Sequence, residues 1–353
     1  MAKKSLEMLS EEHVPADLSK LQPFTWGSVI LDAITGGDIQ RGIMLDLAGK
    51  EGSGKSTAFL HALKVNASNG TRCAYVDVEG GIKGSQLLGI GLAPYLRKGT
   101  LERYGLDPKL SNGSNLIEIL FADTYEACEE VLDTLIENGI ELIALDSLTA
   151  ITPKKLLEGM TTAEPGLKSR LEGNMLSKYK SVVKRTGTTI MYISQFRTNI
   201  KFMGVTTEGA SGGFAVKHYM DIRMVMKKKK SMEKTMMTGG GKAVIPYGSI
   251  NEVMSTKNRC APPFVPLEVH VIFGKGISNL MAYKDVLISA GKLSGTRGFF
   301  NLELEPGKII KARGESGLLA KIAENIDDVM KVVNSVGGIQ LLPENAVVEE
   351  DEE

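Results

Sequence analysis

The residues with the clearest chemical potential form a short run near the start of the chain. Residues 49–56 read GKEGSGKS and match the pattern G-x-x-x-x-G-K-[S/T] at every required position. Glycines let a backbone wrap closely around phosphate groups, while backbone N–H groups and the start of a helix supply positive potential. We therefore predict a phosphate-binding loop in which Lys55 reaches the β- and γ-phosphates and Ser56 binds Mg²⁺.

A carboxylate that could complete a Mg²⁺ site ends a later apolar run. Asp146 is the last residue of LIALD (142–146), and an acid at such a strand tip can hold the metal beside a phosphate loop. A turn residue or helix cap is the alternative, but the phosphate loop favours the metal role. The predicted cofactors are ATP and Mg²⁺, with the metal at Ser56 and Asp146. The predicted nucleotide-binding residues are Gly49, Lys50, Glu51, Gly52, Ser53, Gly54, Lys55, Ser56, Thr57 and Asp146.

Two further polar residues follow buried strands and could act at the γ-phosphate. Glu79 comes directly after RCAYVDV (72–78), and a carboxylate there can polarise the attacking water. Asp77 competes for this role, although alternation along the strand places it differently. Gln195 follows TTIMYIS (188–194) and could sense the γ-phosphate and signal to the next loop; a turn amide is the alternative.

The segment after Gln195 combines cations, an aromatic ring and small residues. It reads FRTNIKFMGVTTEGASGG (196–213) and contains Arg197, Lys201 and Phe202. This mixture suits single-stranded nucleic acid, because bases stack on rings and phosphates attract cations. An ordinary surface loop is the alternative.

Charge is balanced over the whole chain but is unevenly distributed. The 353 residues include 42 Lys and Arg and 42 Asp and Glu. Residues 349–353 are all acidic, so the remainder carries 42 basic and 37 acidic residues, a net charge of +5. A mildly basic body with an acidic tail fits a protein that binds polyanions, and a solubilising tail is the alternative.

Several features argue against a membrane or secreted protein. No apolar run approaches the roughly 18–20 residues that span a bilayer, and the start MAKKSLEMLSEEH lacks the features of a signal peptide. Cys73, Cys128 and Cys260 are widely separated, which fits a reducing cytosol. We predict a cytoplasmic protein without membrane contact.

From Ile43 onward, apolar strands alternate with helical segments. Strands are predicted over 43–48, 72–78, 115–121, 142–146 and 188–194, and helices over 56–67, 124–138 and 166–185. The helix over 124–138 is expected to begin at a cap formed by Thr124 or Asp123 and to stop at Gly139. The alternation predicts right-handed β-α-β crossovers and a mainly parallel sheet covered on both faces. Beyond Tyr219 the strands are shorter, and we expect 227–242 to form a mobile hairpin or loop. Further helices are predicted near 280–290 and 315–335.

Six ordered segments resemble the RecA recombinases, and the resemblance extends over about residues 25–335. They are WGSVILDAITGGDIQRG (26–42), LDSLTAITPK (145–154), SQFRTNI (194–200), GASGGFAVKHY (209–219), STKNRCAPPF (255–264) and GKGIS (274–278). The resemblance implies an α/β fold: a RecA-like P-loop ATPase core with a mainly parallel central sheet, a short N-terminal segment and a small α/β C-terminal domain. The implied divisions are an N-terminal contact segment (1–40), a core (41–274) with DNA-binding loops at about 155–166 and 197–212, a C-terminal domain (275–340) and a disordered acidic tail (341–353).

The resemblance also implies a function and a set of partners. It implies a DNA-dependent ATPase that forms helical filaments on single-stranded DNA and exchanges strands with a homologous duplex in recombination, repair and the SOS response. Other implied partners are a single-stranded DNA-binding protein and a mediator. Lys55, Glu79 and Gln195 would be catalytic, with Lys257 and Arg259 acting in trans on a neighbour's ATP. The implied DNA contacts are Arg170, Arg197, Ile200, Lys201, Phe202, Gly212 and Gly213.

Some positions depart from the family pattern. Arg259 stands where typical members have a second lysine, and His218 stands where they have a phenylalanine at the protomer interface. Gln86 occupies the place of a tyrosine that stacks on adenine, so Tyr95 or Tyr104 is expected to replace that ring. The divergence suggests a phage-encoded or otherwise remote member; a phage-encoded member would work in the host cytoplasm.

Two rival classes share part of the pattern. A ring-forming RecA-like helicase has the same core but normally carries an additional N-terminal domain, for which only about 40 residues precede the phosphate loop. A non-hydrolysing DNA-coating protein would bind ATP for regulation alone. The complete set of Lys55, Glu79, Asp146 and Gln195 argues against the second class.

Overall fold

A computed structural model describes residues 21–157, 166–200, 206–210, 213–238, 241–296 and 298–336. The predicted acidic tail lies outside these ranges, as do the predicted DNA contacts Lys201, Phe202 and Gly212. None of the described helices is long and apolar enough to cross a membrane.

A large sheet forms the centre of the molecule. Its strands are β1 (Met44–Gly49), β2 (Cys73–Asp77), β3 (Ile117–Phe121), β4 (Leu142–Asp146), β5 (Thr189–Ile200), β6 (Thr206–Ala210), β7 (Ile222–Thr238), β8 (Gly241–Lys257), β9 (Leu267–Ile272) and β10 (Gly276–Ser278). Among the described residues these ten strands follow the order β10-β9-β8-β7-β1-β5-β4-β2-β3, with β6 paired to β5. The strands from β7 to β3 in this order are parallel, and β8, β9 and β10 continue the sheet antiparallel.

Helices cover both faces of the parallel region. They are α1 (Val29–Thr35), α2 (Lys55–Ser68), α3 (Gly84–Ile90), α4 (Lys98–Arg103), α5 (Tyr125–Glu137), α6 (Lys154–Leu157), α7 (Leu167–Thr186) and α8 (Gly213–Tyr219). Successive side chains of β2 point to opposite faces, as strand geometry requires. Tyr75 packs in one hydrophobic cluster with Phe59 of α2, and Val76 packs in the other with Leu132 of α5. The predicted two-sided parallel sheet is confirmed.

Local sequence signals fix where helix α5 begins and ends. The Thr124 hydroxyl accepts a hydrogen bond from the Ala127 N–H at 3.1 Å and so caps the start of α5. The helix ends at Glu137, just before Gly139, which has a φ of 71°. Of the two caps that the sequence allowed, Thr124 and not Asp123 caps the helix, and the predicted stop at Gly139 is confirmed.

The Lys-rich segment is a paired ribbon. β7 and β8 pair from Arg223 opposite Lys257 to Thr238 opposite Gly241, with register shifts along the way. The prediction of a hairpin over 227–242 is therefore confirmed for the described residues, and the alternative of a loop is wrong. The expectation of shorter strands beyond Tyr219 is also wrong for this ribbon, because β7 and β8 each contain 17 residues. Thr, Val and Ile are good strand formers, and pairs such as Thr235 with Val244 support the ladder despite the many lysines.

A separate small unit follows the large sheet. It contains α9 (Leu280–Ser289), α10 (Gly314–Glu324), α11 (Ile326–Val336) and a three-stranded antiparallel sheet of β11 (Leu293–Thr296), β12 (Phe299–Glu305) and β13 (Lys308–Arg313). These elements enclose a third hydrophobic cluster. The single helix expected near 315–335 is two helices, because Asn325 ends the first one and donates its side-chain amide to the Lys321 carbonyl at 2.9 Å.

A buried ion pair joins two strands at the centre of the large sheet. Arg223 Nε of β7 donates to Asp46 Oδ2 of β1 at 2.9 Å, and Asp46 is fully buried. Burial raises the pKa of the Asp46 carboxyl above its ordinary value, and the charge of Arg223 opposes the rise. The two charges therefore depend on each other.

We predict that Arg223→Met lowers the free energy of unfolding by about 3–5 kcal/mol, because Asp46 would remain buried without its partner. The double variant Asp46→Leu/Arg223→Met should recover most of that loss, since it removes both charges. Urea unfolding followed by circular dichroism would compare the two variants with the wild type. A single variant as stable as the wild type would contradict the prediction.

Candidate active site

The predicted phosphate loop connects the end of β1 at Gly49 to the start of α2 at Lys55. Two of its positions require glycine. A Cβ on Gly49 would lie 2.3 Å from the carbonyl oxygen of Met226, and Gly54 precedes the helix with a φ of 89°. The backbone can therefore adopt this turn only because both positions, Gly49 and Gly54, are glycine.

Lys55 lies inside the loop and is 6% exposed. Its ammonium donates to the carbonyls of Gly49 at 2.9 Å and Lys50 at 2.7 Å. Burial lowers the pKa of the Lys55 ammonium, and the charges of Asp146 and Glu79 oppose that shift. The loop therefore holds one cation among carbonyl groups, near two acids. Thr57, in the first turn of α2, also lines the adjoining cavity.

Oxygen groups converge beside the first turn of α2. Ser56 Oγ and Tyr75 Oη each donate to Asp146 Oδ2 at 2.5 Å. Burial raises the pKa of the Asp146 carboxyl, while the hydrogen bonds from Ser56 and Tyr75 lower it. A hydroxyl and a carboxylate are the ligand types that Mg²⁺ takes in proteins, so Ser56 and Asp146 fit the predicted metal. Sequence reasoning missed Tyr75, whose only signal is a polar-tipped ring in an apolar strand.

The structure brings Glu79 and Gln195 together. Gln195 Nε2 donates to Glu79 Oε1 at 2.8 Å, and Ser147 Oγ donates to the same oxygen at 2.6 Å. Glu79 is exposed and lies two residues beyond the end of β2. Sequence reasoning missed Ser147, although it directly follows Asp146.

Asp77 has a different environment. Its two carboxylate oxygens accept from the backbone N–H groups of Gly81 and Ile82, each at 3.2 Å, and the residue is 6% exposed. The carboxylate therefore holds the turn after β2. This geometry favours Glu79 over Asp77 as the group that faces a reacting water.

A cavity of about 340 Å³ joins these groups. Besides the polar residues above, its lining includes Leu60, Gln86 and the half-exposed Phe273. Neither Tyr95 nor Tyr104 is among the described lining residues, because both pack against the main hydrophobic cluster. The expectation that one of them replaces the missing adenine-stacking ring stays a prediction, and Phe273 is an aromatic residue of the cavity lining that the sequence reasoning did not anticipate.

Lys257 and Arg259 lie outside that cavity. Lys257 Nζ donates to the carbonyls of Lys217 at 2.8 Å and His218 at 3.0 Å. Arg259 Nη1 donates to Asp221 Oδ1 at 3.0 Å. These residues lie where β8 meets the first residues of β7, whereas the phosphate loop lies at the carboxyl ends of the parallel strands. Contact with an ATP would therefore have to involve a neighbouring molecule.

The predicted DNA contacts are dispersed over three described elements. Arg170 is an exposed residue in the first turns of α7. Arg197 and Ile200 lie in β5, where their backbones pair with Gly209 and Thr206 of β6, and Gly213 begins α8. The segment expected to be a loop after Gln195 is thus partly a hairpin.

The fold and the site together define a class. The chain is an α/β P-loop protein, with the loop between the first sheet strand and the following helix and acidic residues at the tips of neighbouring strands. The sequence pattern of the RecA N-terminal domain matches residues 104–278.

Similarity to known proteins identifies the family. The chain is 28% identical to Protein RecA of Gloeobacter violaceus over 336 residues, which cover 92% of this chain and 81% of that protein. It is 30% identical to Protein RecA of Cutibacterium acnes over 299 residues, covering 82% and 77%. Protein RecA of a Methylobacterium species is 29% identical over 293 residues, covering 81% and 72%. The chain belongs to the RecA family.

We predict that Glu79→Gln lowers ATP turnover by about 10²–10⁴-fold, because an amide cannot accept the proton of the attacking water. ATP binding should persist. Asp77→Asn is the matched control, since its amide oxygen can still accept from one of the two backbone N–H groups of the turn; its turnover should fall far less than that of Glu79→Gln. Steady-state hydrolysis and binding of a fluorescent nucleotide test both variants. The reverse result in folded proteins would show that Asp77 is the catalytic base.

Proposed function

We propose that this chain is a DNA-dependent ATPase that assembles as a helical filament on single-stranded DNA and exchanges strands with a homologous duplex. The observation that carries the proposal is the 2.8 Å hydrogen bond between Gln195 and Glu79. Gln195 leads into the segment predicted to bind DNA, and Glu79 is the predicted catalytic base. One contact thus links the two activities that such an enzyme must couple. The kinship with RecA proteins supports the same role in recombination and repair.

The residues of the site divide the chemistry of ATP hydrolysis. Lys55 and the loop amides would bind the phosphates, and Glu79 would orient the water and accept its proton. Gln195 would respond to the γ-phosphate through its amide, which already contacts Glu79. Ser56 and Asp146 would hold Mg²⁺, which supplies positive charge to the phosphate oxygens when bound. Leu60 and Phe273 would offer apolar surface for the adenine ring of ATP.

The positions of Lys257 and Arg259 support self-assembly. Lys257 and Arg259 are distant from their own phosphate loop along the sheet, so their proposed action on ATP requires a second copy of the chain. A planar guanidinium suits phosphate oxygens, and Arg259 can replace a lysine there. The proposed setting is the cytoplasm, with a single-stranded DNA-binding protein and a mediator as further partners.

The first test is turnover with and without single-stranded DNA, together with electron microscopy in a slowly hydrolysed ATP analogue. We expect DNA-stimulated hydrolysis and open helical filaments. Lys55→Ala should abolish turnover, because the phosphate loop loses its buried cation. Closed rings would indicate a helicase instead, and DNA binding without any hydrolysis would indicate a coating protein.

The second test concerns the trans role. Arg259→Ala should lower hydrolysis by about 10³–10⁵-fold if it acts as an arginine finger. Mixing it with Lys55→Ala should restore part of the activity, since some interfaces would combine one intact phosphate loop with one intact finger. Arg97→Ala is the control, because Arg97 is also an exposed arginine that pairs with a carboxylate, Glu118. Co-assembly without any recovery would contradict a trans role.

A further inference from the structure

A chain of hydrogen bonds runs from α7 to the catalytic carboxylate. Lys168 Nζ donates to the Thr149 carbonyl at 2.7 Å. The Thr149 hydroxyl lies 3.2 Å from Ser147 Oγ and accepts from the Gln195 N–H at 3.3 Å. Ser147 Oγ in turn donates to Glu79 Oε1 at 2.6 Å. The segment 147–149 therefore touches both Glu79 and Gln195, which lies in β5 directly before the residues that pair with β6.

The middle of this chain is buried. Ser147 is fully buried and Thr149 is 7% exposed. Side chains in such packed surroundings occupy discrete positions and transmit a displacement instead of absorbing it. A shift of the Thr149 backbone would therefore change the hydrogen bonds at Ser147 and Gln195 together, and through both of them the orientation of Glu79.

Lys168 lies close to the residues that are predicted to bind DNA. It is the second residue of α7, which carries the predicted DNA contact Arg170 one half-turn later. The predicted DNA loop at about 155–166 ends directly before this helix. A lysine ordinarily extends its ammonium into water, yet Lys168 is partly buried and directs its ammonium to a backbone carbonyl.

We propose that Lys168 is a positioning residue that couples DNA binding at α7 to the orientation of Glu79 through Thr149 and Ser147. The inference rests on the proposed function and names the route by which DNA regulates the same site. DNA that engages Arg170 fixes the first turn of α7. Lys168 then holds the Thr149 carbonyl, and the hydroxyls of Thr149 and Ser147 align Gln195 and Glu79.

If Lys168 only stabilised the fold, its removal would have a different effect. Loss of a stabilising contact lowers thermal stability and affects turnover with and without DNA alike. Loss of a coupling contact lowers the ratio of DNA-stimulated to unstimulated kcat at saturating DNA. In that case the Kd for single-stranded DNA and the KM for ATP should stay close to the wild-type values.

The experiment measures that ratio for Lys168→Met, Lys168→Arg, Thr149→Val and the double variant Lys168→Met/Thr149→Val. Lys168→Met should lower the ratio by about 2- to 30-fold, the range expected for a residue that links two sites. Lys168→Arg should restore it, because a guanidinium can also donate to the carbonyl. The double variant should have the same ratio as the more impaired of the two single variants, because both changes interrupt one route. Lys184→Met is the control: it removes an exposed lysine from the last turn of the same helix.

Several results would overturn the inference. It is wrong if Lys168→Met keeps the full ratio, if the effects of Lys168→Met and Thr149→Val multiply, or if the loss follows weaker DNA binding. Thr149→Val keeps the test decisive if Lys168→Met does not fold, because it removes only the hydroxyl and must lower the ratio by itself. A wild-type protein whose turnover ignores DNA would instead refute the proposed function, which separates the two failures.

Discussion

The parallel register of the central strands is the constraint on which the site depends. β1 aligns with β5 so that Gly49 lies opposite Gln195, and β2 aligns with β4 so that Asp77 lies opposite Asp146. Because parallel strands end at one edge, residues far apart in the sequence meet there without any special folding of the loops. A slip of one residue in β5 would turn Gln195 to the other face and separate it from Glu79.

The site also places charged groups in a buried position at the carboxyl ends of the parallel strands. Lys55 and Asp146 are both largely removed from water, and burial shifts the pKa of each toward its neutral form. The charge of Asp146 opposes the shift in the pKa of Lys55, and hydrogen bonds from Ser56 and Tyr75 oppose the shift in the pKa of Asp146. Deeper in the sheet, the charge of Arg223 likewise opposes the rise in the pKa of Asp46. Groups kept charged in this way carry a cost to folding that the apolar clusters on both faces must offset.

Sequence reasoning was most effective where chemistry follows chain geometry. The strands, the Thr124 cap and the meeting of Glu79 with Gln195 could be predicted, because strand tips on one edge must converge. The hydroxyl of Tyr75 on Asp146 and the exposure of Phe273 could not, since they depend on side-chain directions between distant elements. The Lys-rich ribbon was ambiguous because composition does not reveal cross-strand pairing.

The separation of Lys257 and Arg259 from their own phosphate loop gives the molecule two unlike surfaces. An assembly that joins one surface to the other is heterologous and does not close unless its rotation happens to form a ring. A row built this way has a direction, and its two terminal subunits are inequivalent. In the proposed assembly, one end would present a nucleotide site with no neighbour to complete it, and the other would present Lys257 and Arg259 with no nucleotide to contact. Growth and loss of subunits at the two ends would then obey different rules, although every subunit has the same sequence.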